Sequence, residues 1–222
     1  ATLEIAKKYT DRVYTQPNDP LRIDLQKNTG FEKATGEYIL SIDADEIVTE
    51  QLKEEIKELL KGKNLKNGYS IPRKNIIFGK WIQHSLWWPD YQLRLFKRGK
   101  GRFENASVHK PIKVDGEIGQ LNEPLIHENY QTISQYLYKM DKIYTEVEAS
   151  RIIDSGKEIK WRDAIRFPAN DFLKTFFLQK GYKDGLHGLV LSILQAFYME
   201  VVFTKVWEKQ GFKEVNNPDF LK

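Results

Sequence analysis

Apolar residues in the first half of the chain recur alternately with helical and with extended spacing. Helical spacing separates them by three or four residues, whereas the extended runs are short and nearly continuous. This alternation predicts an α/β fold, in which helices pack against a sheet. The segments concerned are a helix through about Tyr9, a strand from Arg12 to Thr15, a helix from about Leu21 to Ala34 and a strand from Glu37 to Ile42.

A further helix is predicted to begin after Thr49. The Thr49 hydroxyl can cap its first turn, and Gly62 lies where a glycine would end it. The charged residues within this segment are best interpreted as a solvated face. The apolar stripe of the helix consists of Leu52, Ile56, Leu59 and Leu60.

The pattern changes twice in the remainder of the chain. From about Asn67 the runs are short, extended and rich in aromatic residues, and from about Thr132 they are helical. We therefore expect two regions, an α/β core at 1–130 and a helical region at 131–222. The predicted segments are strands at Gly68 to Ile71, Tyr91 to Phe96 and Leu121 to Ile126, one long helix from Thr132 to about Asp154, and two helices flanking Gly181 to Gly185.

The final helix is apolar nearly all round. A helix of this kind is buried against its neighbours or a second subunit, or it contacts lipid at a membrane surface. Polar residues interrupt the run from Leu186 to Val206, so it is expected to be a poor membrane span. Its two apolar faces carry Leu189, Ile193, Phe197 and Val201, and Leu191, Leu194, Tyr198 and Val202.

Composition narrows the classes of function. The chain has 222 residues with 41% hydrophobic content, enough to form a substantial core. Its 35 basic and 31 acidic residues are dispersed, so no nucleic-acid partner is indicated. The absence of cysteine excludes disulfides and thiolate metal sites and fits a cytoplasmic protein, and the four histidines are too scattered for a zinc motif.

Acidic residues follow the predicted strand that ends at Ile42. Asp43 and Asp45 would lie at the carboxyl end of that strand, where ligands bind in open α/β sheets. Two such carboxylates can bind one hard divalent cation, Mg²⁺ or Mn²⁺, together with water and phosphate oxygens. Alternatively, they only cap or precede the following helix.

Several segments together resemble family 2 glycosyltransferases of the GT-A fold, and in particular the bacterial branch of lipopolysaccharide-core glucosyltransferases. The matching segments are Gln26-Lys27-Asn28, Ala34 to Glu46, Trp88 to Phe96, Val108-His109, Gly119, Pro124 to His127 and Gly181 to Gly185. The resemblance implies that Asp43 and Asp45 bind the metal on the donor diphosphate. It also implies that Gln26, Lys27 and Asn28 lie near the nucleotide.

The chain departs from that family at its start. Members normally open with a strand, an Asn-Glu-Glu segment and a second strand that ends in an acidic turn, none of which is present here. We therefore expect 1–130 to be a GT-A core without its first strands, and an N-terminally truncated sequence.

The stretch from Trp88 to Phe96 supplies candidates for the chemistry. Transfer with inversion needs a base beside the acceptor hydroxyl, and Asp90 is the first candidate. Arg94 could stabilise phosphate charge, and Trp87 and Trp88, like Trp81, could stack on sugar or nucleotide rings. The alternatives are a turn role for Asp90, a surface ion pair for Arg94 and a core role for the tryptophans.

A second departure concerns the base. Relatives commonly carry Glu after the histidine of the Val108-His109 pair, whereas this chain has Lys110. If that Glu is the base in relatives, either Asp90 or His109 serves here or the acceptor chemistry has changed. The alternative for His109 is a structural role.

The leading hypothesis is a glycosyltransferase that moves a hexose from a nucleotide-sugar to a cell-envelope glycan or lipid-linked acceptor. It would work in the cytoplasm or on the inner face of the membrane, with peripheral membrane contact through the C-terminal helices. One alternative is a non-catalytic glycan-binding remnant. Another is a magnesium-dependent phosphatase with an aspartate nucleophile, although Ile47 stands where such enzymes carry a hydroxyl residue.

Overall fold

The computed structural model describes residues 2–17, 23–104 and 111–213. They form two compact units, each assembled from several stretches of chain. The first unit consists of Ala1–Ile42, Glu54–Ile71 and Gln92–Asn122, and the second of Asp43–Lys53, Pro72–Tyr91 and Glu123–Lys222. The division at 130 and 131 stays a prediction.

Helices and strands are mixed up to Leu60, strands follow up to Tyr130, and helices come after them, so the predicted α/β class is confirmed. The α-helices are α1 (Thr2–Ala6), α2 (Ile23–Lys33), α3 (Glu50–Leu60), α4 (Ile133–Lys139), α5 (Thr145–Asp154), α6 (Asp163–Leu173) and α7 (Leu186–Lys209). Two π-helical segments, Met140–Tyr144 and Lys174–Leu178, and a 3-10 turn, Gly181–Asp184, lie among the later helices. The strands are β1 (Tyr38–Leu40), β2 (Glu46–Val48), β3 (Gly68–Ile77), β4 (Lys80–Trp81), β5 (Asp90–Lys97), β6 (Gly101–Arg102), β7 (Lys113–Val114), β8 (Ile118–Gln120) and β9 (Leu125–Tyr130).

The first unit contains the strand order β1, β5, β3. β1 runs antiparallel to β5, with Ile39 opposite Phe96, and β8 runs parallel to the start of β3, with Tyr69 opposite Gly119. Its core joins strand residues such as Ile39 and Phe96 to Phe31 of α2. The apolar spacing that predicted α2 therefore faces this sheet.

The second unit contains the strand order β3, β9, β2. β9 runs parallel to β3, with Asn75 opposite His127, and antiparallel to β2, with Glu46 opposite His127. β3 contributes 68–71 to the first unit and 72–77 to this one. Register alone thus brings Glu46, Asn75 and His127 side by side.

The helices of the second unit form two apolar clusters. One joins Ile77 and Tyr130 to Tyr136, Met140 and Leu191. The other lies between α5, α6 and α7 and contains Ala149, Ile159, Phe203 and Val206. These clusters hold α7 along one face.

The opposite face of α7 is exposed, including Ile193 and Phe197. Among the described residues, α7 is the helix long and apolar enough to cross a membrane by length and composition. Core helices of soluble proteins meet the same criterion. The buried face of α7 packs against its neighbours, and contact of the exposed face with lipid stays a prediction.

Some predicted boundaries are wrong. Residues 12–17 form no strand, and the Arg12 guanidinium instead donates to Thr35 Oγ1. β3 continues past Pro72 to Ile77, although proline is uncommon within strands. β9 begins after Pro124, which has no N–H to pair, and the helical run from Ile133 to Asp154 passes through a π-helical segment.

Candidate functional site

The acidic motif forms a tight turn between β1 and β2. The Asp43 N–H donates to Glu46 Oε2 at 3.0 Å, and the Glu46 N–H donates to the Asp43 carbonyl at 3.0 Å. The cap of α3 is Thr49, whose Oγ1 accepts from the Leu52 N–H at 3.1 Å. Thr49, and not Asp43 or Asp45, therefore caps α3, so the alternative that these two residues are helix caps is wrong.

Asp45 is half-exposed and remains ionised. The His127 imidazole, whose Nε2 lies 3.6 Å from Asp45 Oδ2, holds the pKa of Asp45 below its ordinary value. The Asp45 carbonyl also accepts from the Glu128 N–H at 2.8 Å, which fixes the turn against β9. Asp45 thus presents a hard anionic oxygen to solvent.

The fully buried amide of Asn75 fixes the orientation of His127. Asn75 Nδ2 donates to the Trp87 carbonyl at 3.0 Å and to Asp90 Oδ2 at 3.2 Å. Its Oδ1, which can only accept, lies 2.7 Å from His127 Nδ1. This contact fixes the His127 ring with Nε2 turned toward Asp45.

Asp90 is held by Arg73. Arg73 Nε and Nη2 lie 2.9 and 2.6 Å from Asp90 Oδ2, and Arg73 Nη1 lies 3.5 Å from Glu46 Oε1. Asp90 begins β5 with its side chain 20% exposed. A continuous series of polar contacts thus runs from Asp45 through His127 and Asn75 to Asp90.

The tryptophans lie in the same unit as these carboxylates. Trp87 packs against the cluster that contains Tyr130 and Tyr136. Trp88 meets Trp81 edge to face with ring centroids 5.3 Å apart, and Lys74 Nζ lies 4.5 Å from the Trp81 ring. Trp87 and Trp88 thus lie in the same unit as Asp43, Asp45 and Asp90.

The other predicted site residues lie in the first unit or outside the described residues. Gln26 Nε2 donates to the Pro17 carbonyl, and Lys27 Nζ lies 3.5 Å from Asp24 Oδ1. His109 lies outside the described residues, so its role stays a prediction.

Asn28 and Arg94 have structural contacts in that first unit. The Asn28 amide donates to the Phe103 carbonyl at 2.9 Å and accepts from the Phe103 N–H at 3.0 Å. Arg94 is buried, so the alternative of a surface ion pair is wrong, and its carbonyl accepts from the Ser41 N–H at 2.8 Å.

The sequence analysis missed Arg73, Asn75 and the role of His127. A signal was present, because Ile71, Arg73, Asn75 and Ile77 alternate along β3 and share one face. The predicted strand stopped at Ile71 because Pro72 follows it. Polar residues at buried positions of a strand are the feature that could have revealed them.

The glycine-flanked segment from Gly181 to Gly185 supports the loop that carries Trp87. The buried Asp184 carboxylate accepts from the Gln83 and His84 N–H groups, at 3.2 and 2.9 Å to Oδ2. Lys80 Nζ donates to the Asp184 carbonyl at 2.7 Å. The Asp184 side chain thus fixes the backbone of the segment that leads to Asp90. These hydrogen bonds do not involve Asp43, Asp45 or Asp90.

Asp45 supplies one hard carboxylate oxygen of the kind that divalent cations bind, and its Oδ2 lies 3.6 Å from His127 Nε2. Across the described ranges, no three His, Asp or Glu side chains are grouped so that they could hold a metal ion by themselves. A cation here would need further ligands from phosphate oxygens or water.

The sequence of this chain is similar to those of known proteins. The sequence model described as "Glycosyl transferase family 2" matches residues 1–115. The lipopolysaccharide core biosynthesis glycosyltransferase LpsC of Rhizobium meliloti is 26% identical over 196 residues, covering 87% of this chain and 72% of that protein. An uncharacterized glycosyltransferase of Rickettsia conorii is 25% identical over 218 residues, covering 93% of this chain and 76% of its own length.

Proposed function

This chain belongs to glycosyl transferase family 2 and is a glycosyltransferase, and from this premise we propose that it transfers a hexose from a nucleotide-sugar donor to a cell-envelope glycan or lipid-linked acceptor. The observation that carries the proposal is the series of contacts joining Asp45 to Asp90 through His127 and Asn75. The family match sets aside the phosphatase interpretation.

Asp43 and Asp45 would hold Mg²⁺ or Mn²⁺ on the donor diphosphate, with His127 Nε2 beside them. The ionised and half-exposed Asp45 carboxylate supports this assignment. When bound, the cation neutralises the charge that develops on the leaving diphosphate. The residues of this chain orient that group by fixing the Asp45 turn and the His127 ring.

Asp90 would act as the base. The proton of the acceptor hydroxyl passes to Asp90, the hydroxyl oxygen attacks the anomeric carbon, and the bond to the diphosphate oxygen breaks. Arg73 and Asn75 hold Asp90 Oδ2, so the carboxylate has one orientation when the acceptor arrives. One displacement of this kind inverts the anomeric configuration.

The relatives support a proposal for the acceptor class. The Rhizobium meliloti relative is a lipopolysaccharide core biosynthesis glycosyltransferase. We therefore propose a cell-envelope glycan or lipid-linked acceptor for this chain, and the enzyme would act in the cytoplasm or on the inner face of the membrane.

Exposed apolar residues of the second unit support a peripheral membrane contact. Leu178 and Leu186 are 78% and 72% exposed, and they flank the 3-10 turn that carries the exposed Tyr182. Lys180 and Lys183 lie in the same stretch, and their positive charges are complementary to anionic lipid headgroups.

The proposal is tested by incubating the purified protein with a panel of nucleotide-sugars and Mn²⁺ or Mg²⁺, with and without envelope glycolipid. Release of nucleoside diphosphate that depends on cation and glycolipid is expected, and proton NMR of the product should show an inverted anomeric centre. Failure of every donor to yield diphosphate under these conditions would contradict the proposed function.

A further inference from the structure

A cavity of about 200 Å³ opens in the second unit beside the loop that carries Trp87. One wall is the loop itself, a second is the segment from Asp171 to Gln179, and the floor is α7 at Ser192 and Gln195. No residue assigned above to the metal or to Asp90 lines it. It is therefore a separate site within the same unit.

The lining of the cavity suits a polyhydroxylated ring. Asp171 supplies a carboxylate, Lys174 an ammonium group, and Gln179 and Gln195 supply amides. Gln195 Nε2 donates to Asp171 Oδ2 at 3.0 Å, which orients both groups. Donors and acceptors at close spacing bind sugar hydroxyls, and the Trp87 ring can cover the apolar hydrogens of a pyranose.

The backbone is irregular at both walls. Ser85 and Leu86 have positive φ values of 56° and 67°, a conformation that side chains with a Cβ rarely adopt. The opposite wall contains the π-helical segment Lys174–Leu178, and the Ser85 Oγ donates to the Thr175 carbonyl at 2.9 Å. Strained backbone and π-helical turns concentrate at functional sites.

The cavity is linked to the candidate base through one side chain. Trp87 lines the cavity, and its carbonyl accepts from Asn75 Nδ2. The same Nδ2 contacts Asp90 Oδ2. A ligand in the cavity therefore lies next to the loop that leads to Asp90.

We propose that this cavity binds a sugar residue of the acceptor beside the loop that leads to Asp90. The inference rests on the proposed function for the identity of its ligand. Its chemical class is a neutral pyranose, held by Asp171, Lys174 and Gln195 and covered by Trp87.

Saturation-transfer NMR with methyl glucoside, methyl galactoside and methyl mannoside as probes tests the proposal on the purified protein. Wild type should transfer saturation to at least one glycoside. Asp171→Ala and the more exposed Lys174→Ala should each weaken that binding roughly tenfold, because each removes a charged hydrogen-bonding group. The control Asp154→Ala, at the exposed end of α5, should bind as wild type does.

The outcomes separate this inference from the proposed function. If no probe binds wild type, or if both cavity variants bind as wild type does, the cavity assignment is wrong even when donor turnover is intact. Glycoside binding that is lost in the cavity variants supports the site even if no nucleotide-sugar is turned over. Circular dichroism confirms that each variant is folded.

Discussion

At the scale of single residues, Asn75 determines how the site is ordered. Its one amide contacts His127, Asp90 and the backbone of Trp87, and it is 0% exposed. An amide with all of its partners present is stabilising, whereas its removal leaves several buried polar groups without a partner.

We expect Asn75→Ala to lower the free energy of unfolding by about 2–4 kcal/mol, because buried partners are left unsatisfied. Urea denaturation measures this. The control Asn64→Ala, at an exposed position, should change stability by less than about 0.5 kcal/mol. Equal stability of the two variants would show that the Asn75 contacts contribute nothing.

At this scale the sequence predicts part of the candidate site. Asp43, Asp45 and Asp90 are candidates because they lie in contiguous motifs that follow or begin strands. The structure places them in one unit, and their roles stay predictions. Arg73 and Asn75 could not be found in that way. Their partners lie 12 to 52 residues away in sequence, and only the register of β3, β5 and β9 brings them together.

At the scale of elements, the start of α7 is packed against the preceding 3-10 turn. A Cβ on Gly188 would lie 1.8 Å from the Gly181 carbonyl oxygen, so the two backbones are in direct contact. This contact holds Asp184 in place, and Asp184 in turn anchors the loop from Gln83 toward Asp90.

We expect Gly188→Ala to destabilise the protein by about 2 kcal/mol or more, because α7 must move away from the turn. Thermal unfolding measures this. Gly30→Ala in α2 is the matched control, since a Cβ there meets nothing within 4 Å and alanine favours a helix. A Gly188→Ala variant as stable as wild type would rule out the close backbone contact.

The ends of a helix could be predicted where residues close in sequence make the interactions that start and stop it. Thr49 caps α3 and the Gly62 N–H bonds to the Leu59 carbonyl, as the local pattern indicated. The extension of β3 past Pro72 and the π-helical turns were not predictable, because pairing with neighbouring strands and helix packing override local preference there.

At the scale of the whole molecule, the alternating pattern was sufficient to predict a mixed α/β fold followed by helices. The two units were not foreseen, because each combines stretches that are distant in sequence. The second unit contains a tyrosine cluster in which Tyr130 and Tyr136 are buried and Tyr144 and Tyr198 are partly buried.

Burial raises the pKa of Tyr198 to about 12 and raises the pKa values of its three neighbours as well. The neutral phenol of Tyr198 therefore contributes fully to the stability of the folded state below the unfolded pKa of 10.0. This contribution is lost as the pH rises toward 12. We expect the free energy of unfolding to fall between these pH values, as followed by urea denaturation. Tyr198→Phe should reduce that dependence on pH, and an unchanged slope would contradict the assignment.

Asp45 as a ligand of the metal and Asp90 as the base have separate roles in the proposed function. Isothermal titration calorimetry combined with transfer assays tests these two roles most directly. The donor identified by diphosphate release is titrated into wild type, Asp45→Asn and Asp90→Asn with and without Mn²⁺. We predict that Asp45→Asn loses the cation-dependent part of donor binding. Asp90→Asn should bind donor as wild type does and transfer the sugar at least ~100-fold more slowly. Unchanged cation-dependent donor binding in Asp45→Asn would contradict the account.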